Sequence, residues 1–174
     1  EKSHGNIIPK AIKGEVEFRN MFFYYSKDKS VLHNINFRSK PGEIVAIVGR
    51  SGAGKTTFVN LIPRFYDAVS GAVRIDGLDV KKCRLESLRR QIGIVQQEAI
   101  LFLGSIKDNI KYGSFDAADD QVIRAAKAAN IHDYIMTLPD KYDTLVGEKG
   151  TLLSGGEKQR VSIARAILRD PRIL

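Results

Sequence analysis

The stretch EVEFRNMFFYY, Glu15 to Tyr25, alternates polar and apolar positions and is rich in Val, Phe and Tyr, the pattern of a strand. SVLHNINFRSK, Ser30 to Lys40, predicts a second strand, and Pro41 to Glu43 form a turn before the wholly apolar IVAIV, Ile44 to Val48. A short apolar run bounded by turns predicts a strand buried on both faces, as in a parallel sheet. GRSGAGKTTFVNLIPRFY then passes from a glycine loop into a helix. AVRIDG and IGIVQQ, Ala72 to Gly77 and Ile92 to Gln97, predict two further short strands, with a charged helical stretch, LESLRRQ, between them. In FDAADDQVIRAAKAAN, Asp116 is the expected N-cap, and Val122, Ala125, Ala126 and Ala129 fall on one helix face that belongs in the core. HDYIMTL predicts a short helix ending before Pro139. A last helix runs from about Gly155 to Arg169, with Lys158, Ser162, Arg165 and Arg169 in a polar stripe and Val161, Ala164 and Leu168 on another face. Asp170 and Pro171 stop it, and Ile173 and Leu174 begin an apolar strand. Residues 1–13 lack periodicity and read as a linker. This order predicts an α/β core with an inserted helical part.

Composition narrows the class. At 174 residues and 43% hydrophobic the chain suits one globular domain with a real core. No apolar run approaches the roughly 18 to 20 residues of a membrane helix. The net charge of +8 fits nucleic acid, an anionic membrane surface or polyphosphate, and equally a surface that is simply basic. Cys83, the single cysteine, excludes internal disulfides and a multi-cysteine zinc site. The chain begins at Glu1 without a signal pattern and stops where a strand is starting, so we expect a piece of a larger protein.

One motif settles part of the chemistry. GRSGAGKT, Gly49 to Thr56, matches G-x-x-x-x-G-K-[ST], with an apolar run before it and a helix after it. In the loop of Gly49, Arg50, Ser51, Gly52, Ala53 and Gly54 the glycines let the backbone curl so that its amides converge on an anion, and the helix N-terminus adds positive potential. Lys55 reaches the outer phosphates and the Thr56 hydroxyl holds Mg²⁺. A nucleoside triphosphate site is expected here. A second motif, LSGGEKQR, Leu153 to Arg160, places Ser154, Gly155, Gly156 and Glu157 at the start of an amphipathic helix. Its spacing leaves two readings open: another anion site, or a plain serine cap followed by flexible glycines.

LSGGEKQR closely resembles the signature motif of ATP-binding cassette (ABC) ATPases, and GRSGAGKT resembles their Walker A loop. Between them IGIVQQEAILF is similar to the segment carrying the family's Q-loop glutamine, with Gln97 rather than Gln96 at the matching position. RFYDAVSGAVRIDG, SIKDNIKYG and DTLVGEKG are also similar to exporter ATP-binding domains, so the resemblance covers Gly14 to Leu174.

The resemblance implies a P-loop NTPase (RecA-like) α/β core with an N-terminal antiparallel β subdomain and an inserted α-helical subdomain. The implied organisation is a linker from a transmembrane domain over 1–13 and an ABC domain over 14–174. Within it, 14–96 holds the β subdomain and P-loop core, 97–154 the Q-loop and helical subdomain, and 155–174 the signature helix returning to the core. It further implies that two domains pair head to tail, so that Ser154, Gly155 and Gly156 meet the γ-phosphate of ATP on the partner. Tyr25 takes the place of the aromatic that stacks on adenine, although MFFYY also reads as an ordinary buried strand. Thr57 is expected at the α-phosphate. Gln97 completes Mg²⁺ coordination on this pattern, against the simpler reading of a polar loop residue. DTLVGEKG corresponds to a segment that touches the intracellular ends of transmembrane helices, and favours exporters over importers. The family's metal-binding aspartate and catalytic carboxylate follow the point where this sequence ends, so no catalytic base is assigned within it. We therefore expect negligible hydrolysis by this piece alone.

The leading functional expectation is the ATPase motor of a membrane exporter, on the cytoplasmic side of the plasma membrane. One alternative is a soluble ABC ATPase acting on nucleic acid or ribosomes; a second is a regulatory nucleotide-binding module without turnover. A compact helical block rather than a long coiled coil separates the two motifs, and Cys83 alone cannot supply zinc ligands, so no nucleic-acid partner is expected.

Overall fold

The computed structural model describes residues 5–9, 11–26, 29–146 and 153–174. The chain divides into two compact units, 1–92 with 173, and 93–172 with 174.

The first unit is built on a four-stranded antiparallel sheet. Strands β1 (Val16–Ser26), β2 (Lys29–Ser39), β3 (Ser70–Ile75) and β4 (Leu78–Asp79) lie in the order β2-β1-β3-β4. The alternation read in β1 becomes a register in which Phe18 faces Phe37 on one side and Val73 on the other. Phe18 also stacks on Phe58 at 4.0 Å. Phe58 lies on helix α1 (Lys55–Leu61), which brings the glycine loop against the sheet. Phe18, Met21, Leu61, Val73 and Leu88 are buried in this core, Leu88 coming from α2 (Leu85–Arg90). At Gly71 (φ 73°) a Cβ would lie 2.2 Å from the Asn20 carbonyl oxygen, so the close approach of β3 to the bulge in β1 requires glycine. The N-terminal stretch that showed no periodicity is partly docked: Ile7 N–H donates to Lys82 O at 3.0 Å, and Arg84 N–H donates to Ile7 O at 2.8 Å.

The second unit is mostly helical. A two-stranded pair, β5 (Gly104–Ser105) and β6 (Leu145–Val146), accompanies α3 (Ile106–Lys111), α4 (Asp119–Ala128), α5 (His132–Thr137) and α6 (Gly155–Leu168). Its core gathers Ile106, Ile110, Val122, Ile135, Val161 and Ala164, so the predicted faces of α4 and α6 are the buried ones. Among the described residues no helix is long and apolar enough to cross a membrane.

Three expectations require correction. Residues 44–48 form no strand, and Ile44 and Val48 are 98% and 89% exposed. A strand forms only where neighbouring strands take up its backbone hydrogen bonds, and among the described residues none pairs with this run. IGIVQQ likewise contributes only the isolated parallel bridge of Ile92 to Ile173. Asp116 does not cap α4: a turn in which Ala117 N–H donates to Ser114 O at 3.2 Å precedes the helix. The cap is Ala118, whose N–H donates to the Gln121 side chain at 2.8 Å.

Candidate functional site

The phosphate-loop residues stand together in the first unit. Gly52 and Gly54 adopt left-handed backbone at φ 79° and 86°, and Gly54 is the N-cap of α1. The left-handed backbone demands glycine at Gly54, whereas the nearest atom to an added Cβ, Leu32 Cδ2 at 2.9 Å, ends a side chain that can shift. Ala53 N–H donates to Arg50 O at 3.2 Å, closing the turn. No side chain caps α1 at Gly54. Lys55 folds back over the loop, its Nζ donating to Gly49 O at 2.8 Å and to Arg50 O at 2.9 Å. The ammonium is thus held above the loop by carbonyls from which an incoming phosphate can draw it. Thr56 is exposed on the first helical turn, whereas Thr57 is buried at 6%.

Tyr25 reaches this loop from β1. Its ring is 57% exposed and meets Phe23 at 4.9 Å and Tyr66 at 5.2 Å, both near perpendicular. Its hydroxyl lies 2.9 Å from Thr57 Oγ1. MFFYY therefore splits: Met21 and Phe23 are buried, and Tyr25 stands at the surface beside the phosphate loop. Periodicity alone did not single out Tyr66 or the hydroxyl bond, because both depend on which elements the sheet brings together.

In the second unit Ser154 caps α6 within a reciprocal box. Ser154 N–H donates to Glu157 Oε2 at 2.6 Å, and Glu157 N–H donates to Ser154 Oγ at 3.4 Å. Burial pushes the Glu157 carboxyl upward, but hydrogen bonds from the Ser154 backbone and side chain and from Tyr134, with the Arg160 charge, hold it below its ordinary value. Glu157 is therefore engaged in the cap. Gly155 and Gly156 are exposed, and a Cβ at either would meet nothing within 4 Å. Neither packing nor positive φ explains these two glycines. Gln97 is exposed in an irregular segment, where the neighbouring Gln96 carbonyl accepts from Gln159 Nε2 of α6 at 3.0 Å.

A further cluster in this unit escaped sequence reading. Arg165 of α6 donates through Nε to Asn109 O and through an Nη to Asn109 Oδ1, both at 2.9 Å, and to Ile100 O at 3.0 Å. Its guanidinium lies 5.0 Å from the Phe102 ring centroid. Burial lowers its pKa from the ordinary arginine value. These residues border a cavity of about 290 Å³ lined also by Gln96, Tyr112 and Ser162. The legible signal was the polar stripe on α6, which places Arg165 but not the buried Asn109.

The antiparallel β subdomain, the glycine loop running into α1 and the helical second unit define the ABC ATPase fold, a P-loop NTPase. Residues 32–174 match the model of the ABC transporter family, and the chain belongs to that family. It is 55% identical over 163 residues to an ATP-dependent lipid A-core flippase of Syntrophus aciditrophicus (strain SB), covering 94% of this chain and 27% of that protein. It is 51% identical over 164 residues to a putative multidrug export ATP-binding/permease protein of Bacillus subtilis (strain 168), covering 94% of this chain and 28% of the relative. A solved structure of a bacterial Atm1-family ABC exporter with ATP bound superposes with a TM-score of 0.90 at 46% identity, over 95% of this chain and 29% of that one. The chain thus spans under a third of the length of these relatives.

Proposed function

We propose that this chain is the ATP-binding domain of an ABC exporter, and that in the longer protein ATP binding and hydrolysis there drive export across a membrane. The observation that carries the reading is the phosphate loop: two left-handed glycines, an uncapped helix start and Lys55 Nζ poised on Gly49 O and Arg50 O. Tyr25, exposed beside Thr57, offers adenine a flat ring. On this reading the backbone of 49–54 wraps the phosphates, Lys55 moves from the carbonyls to the outer phosphates, and Thr57 meets the α-phosphate.

Among the described residues no three His, Cys, Asp or Glu gather at a metal site. Mg²⁺ fits what is present, because it takes hard oxygen donors and keeps waters and phosphate oxygens around it. The exposed Thr56 hydroxyl and the Gln97 side-chain oxygen are donors of that kind. When bound with ATP, Mg²⁺ neutralises charge on the phosphates.

The second motif takes the role of a partner-facing site. Two glycines that neither packing nor backbone requires leave room at the start of α6 for a large anion to approach. Ser154, Gly155 and Gly156 then meet the γ-phosphate of ATP held by a second, head-to-tail domain, with Glu157 steadying the cap. The remaining partner on this reading is a transmembrane domain preceding residues 1–13, with 14–174 on the cytoplasmic side of a membrane, which we take to be the plasma membrane. In DTLVGEKG, residues 147–150 lie outside the described residues. The relatives named above are a flippase and exporters, and no observation favours a soluble ATPase acting on nucleic acid or ribosomes.

Replacing Lys55 by Ala tests the reading. It removes a charged hydrogen-bond donor, so ATP affinity of the longer protein should fall roughly 10- to 100-fold with the fold intact. Equal ATP binding by the Lys55→Ala variant in equilibrium titration refutes the site.

A further inference from the structure

The bond between Tyr25 and Thr57 is more than stacking requires. A flat ring stacks on a base with or without a hydroxyl, so phenylalanine would serve a purely stacking role. Yet the Tyr25 hydroxyl lies 2.9 Å from an oxygen on a residue 32 positions further along the chain. Thr57 is buried and sits in the first turns of α1, directly after the loop lysine and Thr56. A helical threonine readily turns its hydroxyl back to the carbonyl four residues earlier, which here is Ala53 in the loop. Tyr25 provides a competing partner for that hydroxyl.

The hydrogen-bond inventory then fixes a direction. A hydroxyl has one proton to donate and two lone pairs to accept with. When Thr57 donates its proton to a phosphate oxygen, its bond to Tyr25 must run the other way, with Tyr25 donating. A bound polyphosphate thus selects one arrangement, Tyr25 O–H to Thr57 O–H to phosphate, and hydrogen bonds in series polarise one another.

We propose that Tyr25 is a positioning residue for the phosphate loop as well as a platform for the base. Its hydroxyl turns the Thr57 hydroxyl away from the helix backbone and toward the polyphosphate, so one bond links the two halves of nucleotide recognition. The inference rests on the nucleotide-site reading above.

The test is a set of equilibrium titrations of the longer protein that carries this chain, with ATP and with inorganic tripolyphosphate. The unaltered protein is compared with Tyr25→Phe, Tyr25→Leu, Thr57→Val and the Tyr25→Phe/Thr57→Val pair. Tyr25→Phe should weaken both ligands equally, by about threefold to tenfold, the loss expected for one hydrogen bond. Tyr25→Leu should cost ATP more than tripolyphosphate, because it also removes the ring. On the Thr57→Val background, Tyr25→Phe should change neither affinity, which separates positioning through Thr57 from a general structural effect. Tripolyphosphate binding unchanged in Tyr25→Phe, or losses that multiply in the pair, overturns the inference while leaving the nucleotide site standing. Failure of the unaltered protein to bind ATP at all overturns both.

Discussion

Asn109 shows how much one polar side chain organises. It is wholly buried, and its Nδ2 donates to Phe102 O at 2.9 Å and Ser105 O at 3.0 Å. Its Oδ1 accepts from Phe102 N–H at 2.8 Å and from Arg165 at 2.9 Å. Truncation leaves the buried Ser105 carbonyl and the part-buried Phe102 N–H and carbonyl without this partner, which is costlier than the bonds themselves are favourable. Asn109→Ala should therefore destabilise the protein by about 2–4 kcal/mol in denaturant unfolding, well above the effect of an ordinary surface change. In the sequence Asn109 is only a polar residue inside SIKDNIKYG. What makes it a hub is the arrival of Arg165 from 56 residues away. Lys55 is the opposite case. Its place after a glycine loop was legible because the chemistry there is local, and its two carbonyl contacts lie five and six residues back.

Among the elements, α3 and α6 depend on reciprocal caps. Helix α3 has six residues, too few to persist on propensity alone, and its Ser105–Asp108 box supplies the missing partners at 2.9 and 3.0 Å. Hydrogen bonds from the Ser105 side chain and backbone hold the Asp108 carboxyl below its ordinary value. Glu157 in α6 is also lowered, its cap hydrogen bonds outweighing desolvation. The sign follows directly. A depressed folded pKa means that the unfolded chain binds the proton more readily, so this stability is full above the unfolded carboxylate range and is lost as pH falls through the folded value. Stability should therefore decline on acidification below about pH 4. Unfolding followed across that window should show a shallower decline in Asp108→Asn and in Glu157→Gln, each being less stable near neutrality. A slope identical to that of the unaltered protein would show that the caps carry no linkage. S-x-x-E at Ser154 is a written signature, and SIKD at Ser105 differs only in its shorter acid. At α4 the sequence pointed to Asp116 as the cap, but the turn at 114–117 moved the start to Ala118.

For the whole molecule, pairing through α6 is the decisive property of the proposed function. A bulky acid at Ser154 sets negative charge and volume where a partner's γ-phosphate has to approach. Ser154→Glu should leave ATP binding within about twofold, since the nucleotide's own loop is untouched, while abolishing the ATP-dependent increase in size on gel filtration. Persistence of that increase would remove the partner-facing role of the motif.

The sequence by itself determined what depends on near neighbours. The glycine loop and its lysine, the β1 alternation, the β2 strand and the faces of α4 and α6 all follow from spacing within a few residues. At Ser154 spacing left a cap and an anion site both open, and the structure shows the cap. Tertiary structure alone decided which distant groups meet: Tyr25 on Thr57, Arg165 on Asn109, and Gly71 beneath Asn20. It also decided that the apolar run at 44–48 does not become a strand in this structure. The physical reason is the same throughout. Turns, caps and helix faces satisfy their backbone groups locally, whereas a parallel strand or a side-chain bond across the fold exists only when separate elements bring the partner.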